Sequence, residues 1–261
     1  MRGGSAVCRR CLATRASSAA VRPRKGLLTL LRGVDMEVYL VGTAHIGEES
    51  RTRVREVIRT VKPSVVMVEL CSDRARAMEQ GGSMDVPSTP GDLSFARFAF
   101  APGGDMKTAM EEARALNARI VHGDFKQSDT LSKLKDVVHR GGGLMTLFGR
   151  LTSIEPPPSL LEAMSPDMLL RGGLESLVER LKNRERLAEF KTHLDKAVPD
   201  IMEIMLHRRD KKLFDSLLSR EVTNSGSTKI AVAVVGLAHM DGIERHWEDI
   251  FGAASVQHFE K

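Results

Sequence analysis

The chain has 261 residues, of which 42% are hydrophobic and 28% charged, a balance ordinary for one soluble globular domain near the upper size limit of a single core. Its formal net charge is +5, but eight of its 39 basic residues lie in residues 1–34, where there is no acidic residue, and the remainder carries 31 basic against 34 acidic side chains. Because that remainder is slightly acidic and only 4% of the residues are aromatic, we exclude nucleic acid as a partner.

The first 34 residues have the composition of an organelle transit peptide, since they are rich in Arg, Ser and Ala and free of acidic residues. We therefore predict a disordered basic leader at residues 1–34 and a single α/β domain at residues 35–261. A mitochondrial location is the first expectation, with a plastid location and a basic tail without an address as alternatives. No apolar run is long enough for a transmembrane helix, so none is predicted.

The domain begins with a strand–helix–strand unit. Residues 38–41 are a continuous apolar run, as expected of a strand buried on both faces, and residues 64–70 form a second such strand that ends near Glu69. The segment between them predicts an amphipathic helix, because its apolar residues recur at helical spacing: Val54, Val57, Ile58 and Val61. Two strands joined by a helix over about 30 residues indicate parallel pairing.

The remaining elements follow in chain order: a loop or short insertion at 80–104, a helix at 105–117, a short strand that carries His122 and Asp124, a helix at 129–140 stopped by glycines 141–143, a helical stretch at 158–222, a strand at 229–236 and a helix near 242–251. Together they predict an α/β fold with a mixed or mostly parallel central sheet, flanking helices and a helical middle segment.

One motif occurs twice, and it supplies the candidate site. VYLVGTAH at 38–45 returns as VAVVGLAH at 232–239, so His45 and His239 each follow a strand-ending glycine by three positions. Glu69 ends the second strand and Asp124 follows the short third one. Ligands of parallel sheets bind beyond the carboxyl ends of the strands, so these four side chains are expected to lie close together. Two imidazoles and a carboxylate suit Mn²⁺, Fe²⁺, Co²⁺ or Zn²⁺ and hydrolysis by metal-bound water.

Each candidate also has a purely structural interpretation. A lone histidine at a strand end is more often a cap or a polar contact, His122 can simply fill its strand, and Asp124 can be a turn residue. An otherwise unpaired carboxylate such as Glu69 can be the partner of an arginine. Arg74 and the pair Arg209-Asp210 fit surface ion pairs, while Arg74 can instead clamp a substrate carboxylate.

Three blocks resemble the TraB family, which is similar to bacterial pheromone-shutdown proteins and, more distantly, to the Tiki peptidases. The blocks are VYLVGTAHIGEESRTRVREVIRTVKPSVVMVELCSDR at 38–74, APGGDMKTAMEEA at 101–113 with HGD at 122–124, and VVGLAHMDGIERHW at 234–247. With the helical middle, the similarity covers essentially residues 37–250.

The resemblance implies an erythromycin esterase/ChaN-like architecture with His45, Glu69 and His239 in one pocket as catalytic and metal-binding residues. The resemblance also carries over Arg74 as an accompanying polar residue. In a hydrolase built on these residues, Asp124 would be a further metal ligand or would support the ligands without touching the metal, Arg74 would be catalytic and orient the substrate, and Arg209 would be a second substrate-binding residue. Tiki proteins are regarded as divalent-metal-dependent peptidases, so the implied activity is a metal-dependent hydrolase acting on a peptide or a small molecule, with Mn, Co, Fe or Zn as cofactor.

The alternative is a non-catalytic regulator or adaptor that retains the fold. Some family members act at organelle membranes, so the resemblance also implies peripheral membrane association, with the mitochondrial outer-membrane surface as another location. The sequence makes no prediction of the oligomeric state.

Two positions depart from the family pattern. Relatives tend to read GDR where this chain has Gly123-Asp124-Phe125, so a pocket arginine is missing or replaced by Lys126. They tend to read ERD where this chain has Arg208-Arg209-Asp210, so a glutamate is lost. The final motif reads LAH where GxGH is usual.

Overall fold

The computed structural model of the protein describes residues 26–44, 48–80, 103–158, 183–223 and 229–259. In these ranges the strands are β1 (Leu28–Arg32), β2 (Met36–Thr43), β3 (Val65–Val68), β4 (Arg119–His122), β5 (Lys229–Gly236) and β6 (Val256–His258). The helices are α1 (Glu48–Val61), α2 (Ser72–Glu79), α3 (Gly104–Ala115), α4 (Gln127–Arg140), α5 (Gly143–Ser153), α6 (Arg184–Ala197), α7 (Pro199–Met202), α8 (Arg208–Leu217), α9 (Arg220–Thr223) and α10 (Leu237–Phe251), with a π-helical turn at Glu203–His207 and a 3₁₀ turn at Ala253–Ser255.

The strands form one mixed sheet in the order β4-β3-β5-β2-β1-β6. The first four in that order pair in parallel, while β1 is antiparallel to both β2 and β6. β5 lies in the middle because its sequence KIAVAVVG is almost wholly apolar and can be buried on both faces. The predicted α/β fold with a mixed, mostly parallel sheet is confirmed, and β2, β3, β4 and β5 end at one edge of the sheet.

The start of the domain differs from the prediction. The expectation of a disordered leader through residue 34 is wrong for its last residues, because Leu28–Arg32 forms β1 and pairs with β2 from Leu28 opposite Val41 to Arg32 opposite Glu37. Leu28, Leu30 and Leu31 are buried there. The strand contains most of the apolar run LLTLL, but the basic composition of the segment before it led to the prediction of a disordered leader. Residues 1–25 lie outside the described residues.

Helices cover both faces of the sheet. On one face α1 and α3 pack through residues such as Ile58 and Met110. On the other face α8 and α10 bury Leu213, Phe214 and Trp247 against the strands. The second layer matters for the site, because both of its helices begin at the carboxyl edge of the sheet.

Most predicted elements are present, with shifted ends. α10 begins directly after β5 at Leu237, five residues earlier than predicted, so His239 lies in its first turn.

The helix α5 was not predicted, because the glycines at 141–143 suggested a break. Gly142 has the positive φ that glycine tolerates, and a new helix starts at Gly143. The predicted helical middle is present from Arg184 onward, with Pro199 at the first position of α7 as expected. Most of the predicted 80–104 loop lies outside the described ranges. No helix within those ranges is both long and apolar enough to cross a membrane.

Candidate functional site

Six ionisable side chains meet beyond the carboxyl ends of β3, β4 and β5, and we call this set the charge cluster. Each is at most 8% exposed. The strand ends supply two members, the first turns of three helices supply the others, and together they are Glu69, Arg74, Asp124, Arg209, Asp210 and His239.

Glu69 connects the sheet to the first turn of α10. Its Oε2 accepts a hydrogen bond from the backbone N–H of Gly236, at 2.6 Å. Gly236 is the N-cap of α10, where the helix leaves N–H groups unpaired and its dipole favours negative charge. The other oxygen, Oε1, accepts a hydrogen bond from Arg209 Nη2 at 2.5 Å and lies 3.2 Å from His239 Nε2.

Arg209 holds two carboxylates at once. Besides its bond to Glu69, its Nη2 donates to Asp124 Oδ2 at 2.7 Å and its Nε to Asp124 Oδ1 at 3.2 Å, a bidentate pair. Its Nη1 donates to the carbonyl of Met205 in the π-helical turn. Burial by itself would lower the pKa of Arg209, but Glu69 and Asp124 outweigh it and hold that pKa above its usual value.

The interpretation of Arg74, Arg209 and Asp210 as surface ion pairs is wrong. Arg74 is 5%, Arg209 3% and Asp210 1% exposed. Arg74 Nη1 lies 3.9 Å from Asp124 Oδ2. Burial lowers the pKa of Arg74, partly offset by the nearby charges of Glu69 and Asp124. Both arginines are therefore part of the buried cluster.

His239 lies between two carboxylates. Its Nδ1 is 2.5 Å from Asp210 Oδ1, and its Nε2 faces Glu69. Burial and the repulsion from Arg209 would lower the pKa of His239. The charge of Glu69 and the hydrogen bonds to Asp210 and Glu69 outweigh both effects and raise the pKa of His239 to about 9. At neutral pH the ring is therefore protonated and donates both N–H groups. The cluster then has three negative and three positive charges.

The Asp210 side chain reaches His239 only because residue 242 of α10 is glycine. A Cβ at Gly242 would overlap the Asp210 carboxylate and would lie 2.7 Å from the Asp210 Cβ. The Asp210 Oδ2 atom, buried at this crossing, makes no hydrogen bond in the described part of the chain. Gly242 therefore sets the close approach of α8 and α10 at the site.

Sequence reasoning missed the inward orientation of Asp210 and the role of Gly242. A signal was present, since the buried Leu206, Leu213 and Leu217 recur at helical spacing, and positions 209 and 210 fall on the same face. Arg209 donates to the carbonyl of Met205, which lies in the π-helical turn just before α8. Such turns often occur at functional sites.

The other candidates stand apart from the cluster or outside the described residues. His45 falls in the gap at 45–47, so its position relative to His239 stays a prediction. His122 is at the end of β4 with an exposed side chain and does not join the cluster. Within the ranges that the structure describes, no three His, Cys, Asp or Glu side chains are arranged to hold a metal ion.

The two departures from the family pattern touch each other. The Arg208 guanidinium carbon lies 4.7 Å from the centre of the Phe125 ring, a cation–π contact. Both residues line a cleft of about 700 Å³ between α8 and α10 that also borders Asp210 and Gly242. The changes at 125 and 208 therefore modify one wall of a cleft next to the charge cluster.

A second ion-pair network fixes the first turns of α10. Lys191 of α6 donates to the Ala238 carbonyl at 2.9 Å and to Asp241 Oδ2 at 3.0 Å. Arg184 binds Asp241, Glu244 and the carbonyl of Gly26. Burial would raise the pKa of Asp241, but Lys191 and Arg184 hold it below its usual value. This network anchors the residue before His239, and so contributes to the orientation of the imidazole.

The raised pKa of His239 predicts a pH-dependent stability. Because the folded value of about 9 exceeds the unfolded value of about 6.5, the stabilisation is fully present below about pH 6.5 and is lost as the pH rises to about 9. A shift of this size corresponds to about 3 kcal/mol.

NMR titration of the His239 ring should show the high pKa, and Asp210→Asn should lower that pKa. The control is Asp195→Asn, which alters only the separate His207–Asp195 pair. An unchanged His239 titration in Asp210→Asn would contradict the assignment.

The chain is similar in sequence to one known family and to several known proteins. A sequence model of the TraB/PrgY/gumN family matches residues 27–94, which include β1, β2, α1, β3 and α2. An uncharacterised protein of Methanocaldococcus jannaschii is 25% identical over 231 residues, covering 81% of this chain and 53% of its own length. TraB domain-containing proteins of Homo sapiens and Mus musculus are each 24% identical over 256 residues, covering 80% of this chain and 62% of their own length. The chain thus spans between about half and three fifths of the length of these relatives. The chain is thus similar to the TraB/PrgY/gumN family over residues 27–94 and to TraB domain-containing proteins over most of its length.

Proposed function

We propose that the chain is a divalent-metal-dependent hydrolase of the peptidase type, acting on a peptide or a small molecule. The observation that carries this proposal is the pair formed by His239 Nε2 and Glu69 Oε1, which lie 3.2 Å apart beyond the strand ends. Asp210 holds the opposite ring nitrogen at 2.5 Å. Histidines that ligate metals usually have their second nitrogen fixed by a carboxylate in this way.

The chemistry of these groups fits a borderline divalent cation. His239 and Glu69 would hold it, with His45 as the proposed third ligand, and imidazole with carboxylate suits Mn, Fe, Co or Zn. When bound, such a cation acidifies a water molecule and polarises a carbonyl group. Asp124 was predicted as a further ligand. Both of its oxygens accept hydrogen bonds from Arg209, so in this geometry it would support the ligands through Arg209 and would not bind the metal itself.

The protein's own groups then have distinct tasks. Asp210 keeps Nε2 of His239 turned toward Glu69, and Arg209 fixes the Glu69 carboxylate through Oε1. Arg74 remains the proposed group for orienting a substrate carboxylate. Arg209 was predicted to bind substrate as well, but it could do so only by giving up its bonds to Glu69 and Asp124.

The proposal predicts that metal binding competes with a proton. The cluster is neutral when His239 is protonated, so a cation must displace that proton, and affinity should rise between about pH 7 and pH 9. Calorimetry with Mn²⁺, Co²⁺ or Zn²⁺ in two buffers of different ionisation enthalpy should show release of about one proton. His239→Ala and Glu69→Gln should abolish binding, and Asp210→Asn should weaken it about 10–100-fold.

His122→Ala is the matched control, since it removes an exposed histidine at a neighbouring strand end. His45→Ala tests the third ligand directly. If the wild-type chain binds none of Mn, Fe, Co or Zn, the metal proposal is wrong, whatever the stability of His45→Ala and His239→Ala. Hydrolysis would be assayed on peptide and ester libraries with the metal-loaded protein.

A non-catalytic regulator or adaptor is the second candidate. The observation that favours it is the internal balance of the charge cluster, in which three carboxylates and three cations are buried together. Such a set could be retained for the fold alone. Absence of metal binding, together with a large loss of stability in His239→Ala, would support this candidate over the hydrolase.

We also propose a mitochondrial location, with a plastid and the mitochondrial outer-membrane surface as alternatives. The support is the acid-free, Arg-rich composition of the first residues. A reporter fused to residues 1–34 should enter mitochondria, and a diffuse cytosolic signal would contradict this.

A further inference from the structure

The helix α5 has an apolar side that faces away from the core. Leu144 is 41%, Met145 82% and Phe148 63% exposed, and we call these three residues the α5 apolar face. Single exposed apolar residues are common in proteins, but three of them within five positions of one helix form a continuous apolar surface. Surfaces of this kind mark sites of interaction.

The opposite side of α5 is already packed. Leu147, Leu151 and Ile154 contact the small core cluster that includes Val198 and Met202. The fold therefore uses one side of the helix and leaves the α5 apolar face open to solvent.

The exposed side of the helix combines large and small residues. Helical spacing places Met145, Phe148, Gly149 and Thr152 on one stripe, and all four are exposed. A Cβ at Gly149 would meet nothing within 4 Å, so a hollow lies beside the Phe148 ring. A ring next to a hollow can pack against a copy of itself, because the ring of each copy enters the hollow of the other.

Charges of opposite sign stand at the two ends of the helix. Arg140 lies three residues before α5 and Glu155 two residues after it, and both are exposed. Among the described residues, Arg140 donates only to the backbone carbonyl of Asp136, and Glu155 makes no ion pair. In an antiparallel pair of α5 helices the start of one lies beside the end of the other. Arg140 of each copy would then face Glu155 of the other copy, and the helix dipoles would be complementary as well.

We propose that the α5 apolar face is the contact surface of a symmetric dimer, in which α5 of one copy packs antiparallel against α5 of a second copy. Residues 140 and 155 are equally distant from the point between residues 147 and 148. The two-fold axis that pairs the charges therefore also brings the two Phe148 rings together. The proposal is independent of any chemistry at the charge cluster.

The size of the contact predicts a weak dimer. The helix has 11 residues and is therefore about 16 Å long. One pair of helices of this length buries less than the roughly 800 Å² per partner of a standard stable interface. The dimer should therefore form only at high protein concentration.

An anionic bilayer is a poorer occupant of this surface. Helices that lie on such a bilayer have a mainly cationic polar side. The residues that flank the α5 apolar face in the sequence have both signs in nearly equal number: Lys133, Lys135, Arg140 and Arg150 against Asp129, Asp136 and Glu155. A second copy presents the same mixture in the opposite order, so it suits these charges better.

Sedimentation equilibrium of the full chain measures the association directly. Between about 10 μM and about 1 mM, the weight-average mass should rise from that of one chain toward that of two. Met145→Glu together with Phe148→Glu should weaken the association at least about tenfold, since apolar contacts are lost in both copies. Ile250→Glu is the matched control, because Ile250 is 58% exposed on a different helix, and it should leave the association unchanged.

An exchange of charges tests the antiparallel order. Arg140→Glu or Glu155→Arg alone would place like charges together at both ends of the helix pair and should weaken the association about fivefold. An equimolar mixture of these two variants should recover the wild-type affinity, because each mixed dimer again has opposite charges at both ends. Both positions are exposed, so neither substitution should affect folding.

Three results in solution would each overturn the proposal: a chain that stays monomeric at about 1 mM, a dimer that survives Met145→Glu with Phe148→Glu, or a mixture that associates no more tightly than the single charge variants. Binding of a monomeric chain to phosphatidylserine vesicles that is lost in Phe148→Glu would also overturn it, and would assign the surface to a bilayer.

Discussion

Arg209→Met should lower the free energy of unfolding by about 3–5 kcal/mol, the range observed when one partner of a buried ion pair is removed. Arg209 is 3% exposed and donates to Glu69 and Asp124, which are themselves buried. Without the guanidinium the two carboxylates lose most of their compensating charge in a place that water hardly reaches. Methionine fills much of the same volume, so the loss reports on charge rather than on a cavity.

Urea unfolding at neutral pH measures this effect. Arg245→Met is the matched control, because Arg245 is exposed on α10, and its loss should change stability by no more than about 0.5 kcal/mol. Arg209→Lys should recover only part of the stability, because an ammonium group cannot make the bidentate contact with Asp124. A loss below about 1 kcal/mol in Arg209→Met would mean that water replaces the guanidinium.

The sequence predicted the central sheet because the physical signals there are local. The apolar runs that became β2, β3 and β5, and the helical spacing of α1, depend on burial of contiguous residues. The proximity of Glu69, Asp124 and His239 was also predictable, because neighbouring parallel strands bring the residues that follow them to the same end of the sheet. These inferences required no knowledge of the tertiary contacts.

The parts that were missed depend on contacts between distant segments. β1 is a strand because β2 and β6 border it, which its basic neighbourhood in the sequence does not reveal. Arg209 and Asp210 look like an exposed pair until α8 is placed beside α10. Gly242 has no local signature at all, because its role is the space that it leaves for a side chain 32 positions earlier.

The charge cluster and the start of α10 depend on each other. The backbone N–H of Gly236 donates to Oε2 of Glu69. The helix that begins there places His239 Nε2 next to the other oxygen of the same carboxylate, Oε1. Lys191 fixes the intervening Ala238 carbonyl from α6. The orientation of the imidazole is therefore fixed by Glu69, by Asp210 and by the anchored Ala238 carbonyl. Such support keeps a site rigid, whether the site binds a metal or stabilises the fold.

Gly242→Ala should destabilise the protein by about 1–3 kcal/mol and lower the pKa of His239. The added Cβ would occupy the position of the Asp210 carboxylate, so either α8 and α10 must separate or Asp210 must rotate away from His239. The first response loosens the buried packing between Phe214 and Trp247, and the second removes a negative charge from the imidazole. Thermal or urea unfolding together with NMR titration of His239 separates the two responses.

Gly149→Ala is the matched control, because Gly149 lies inside the helix α5 and a Cβ there meets nothing within 4 Å. Alanine is favoured over glycine in a helix by about 1 kcal/mol, so this variant should be neutral or more stable, the opposite sign to Gly242→Ala. In an Asp210→Ala background the cost of Gly242→Ala should shrink, because the overlapping carboxylate is gone and only the Cβ contact at 2.7 Å remains. Equal costs in the two backgrounds would show that the Asp210 carboxylate is not the group for which Gly242 makes room.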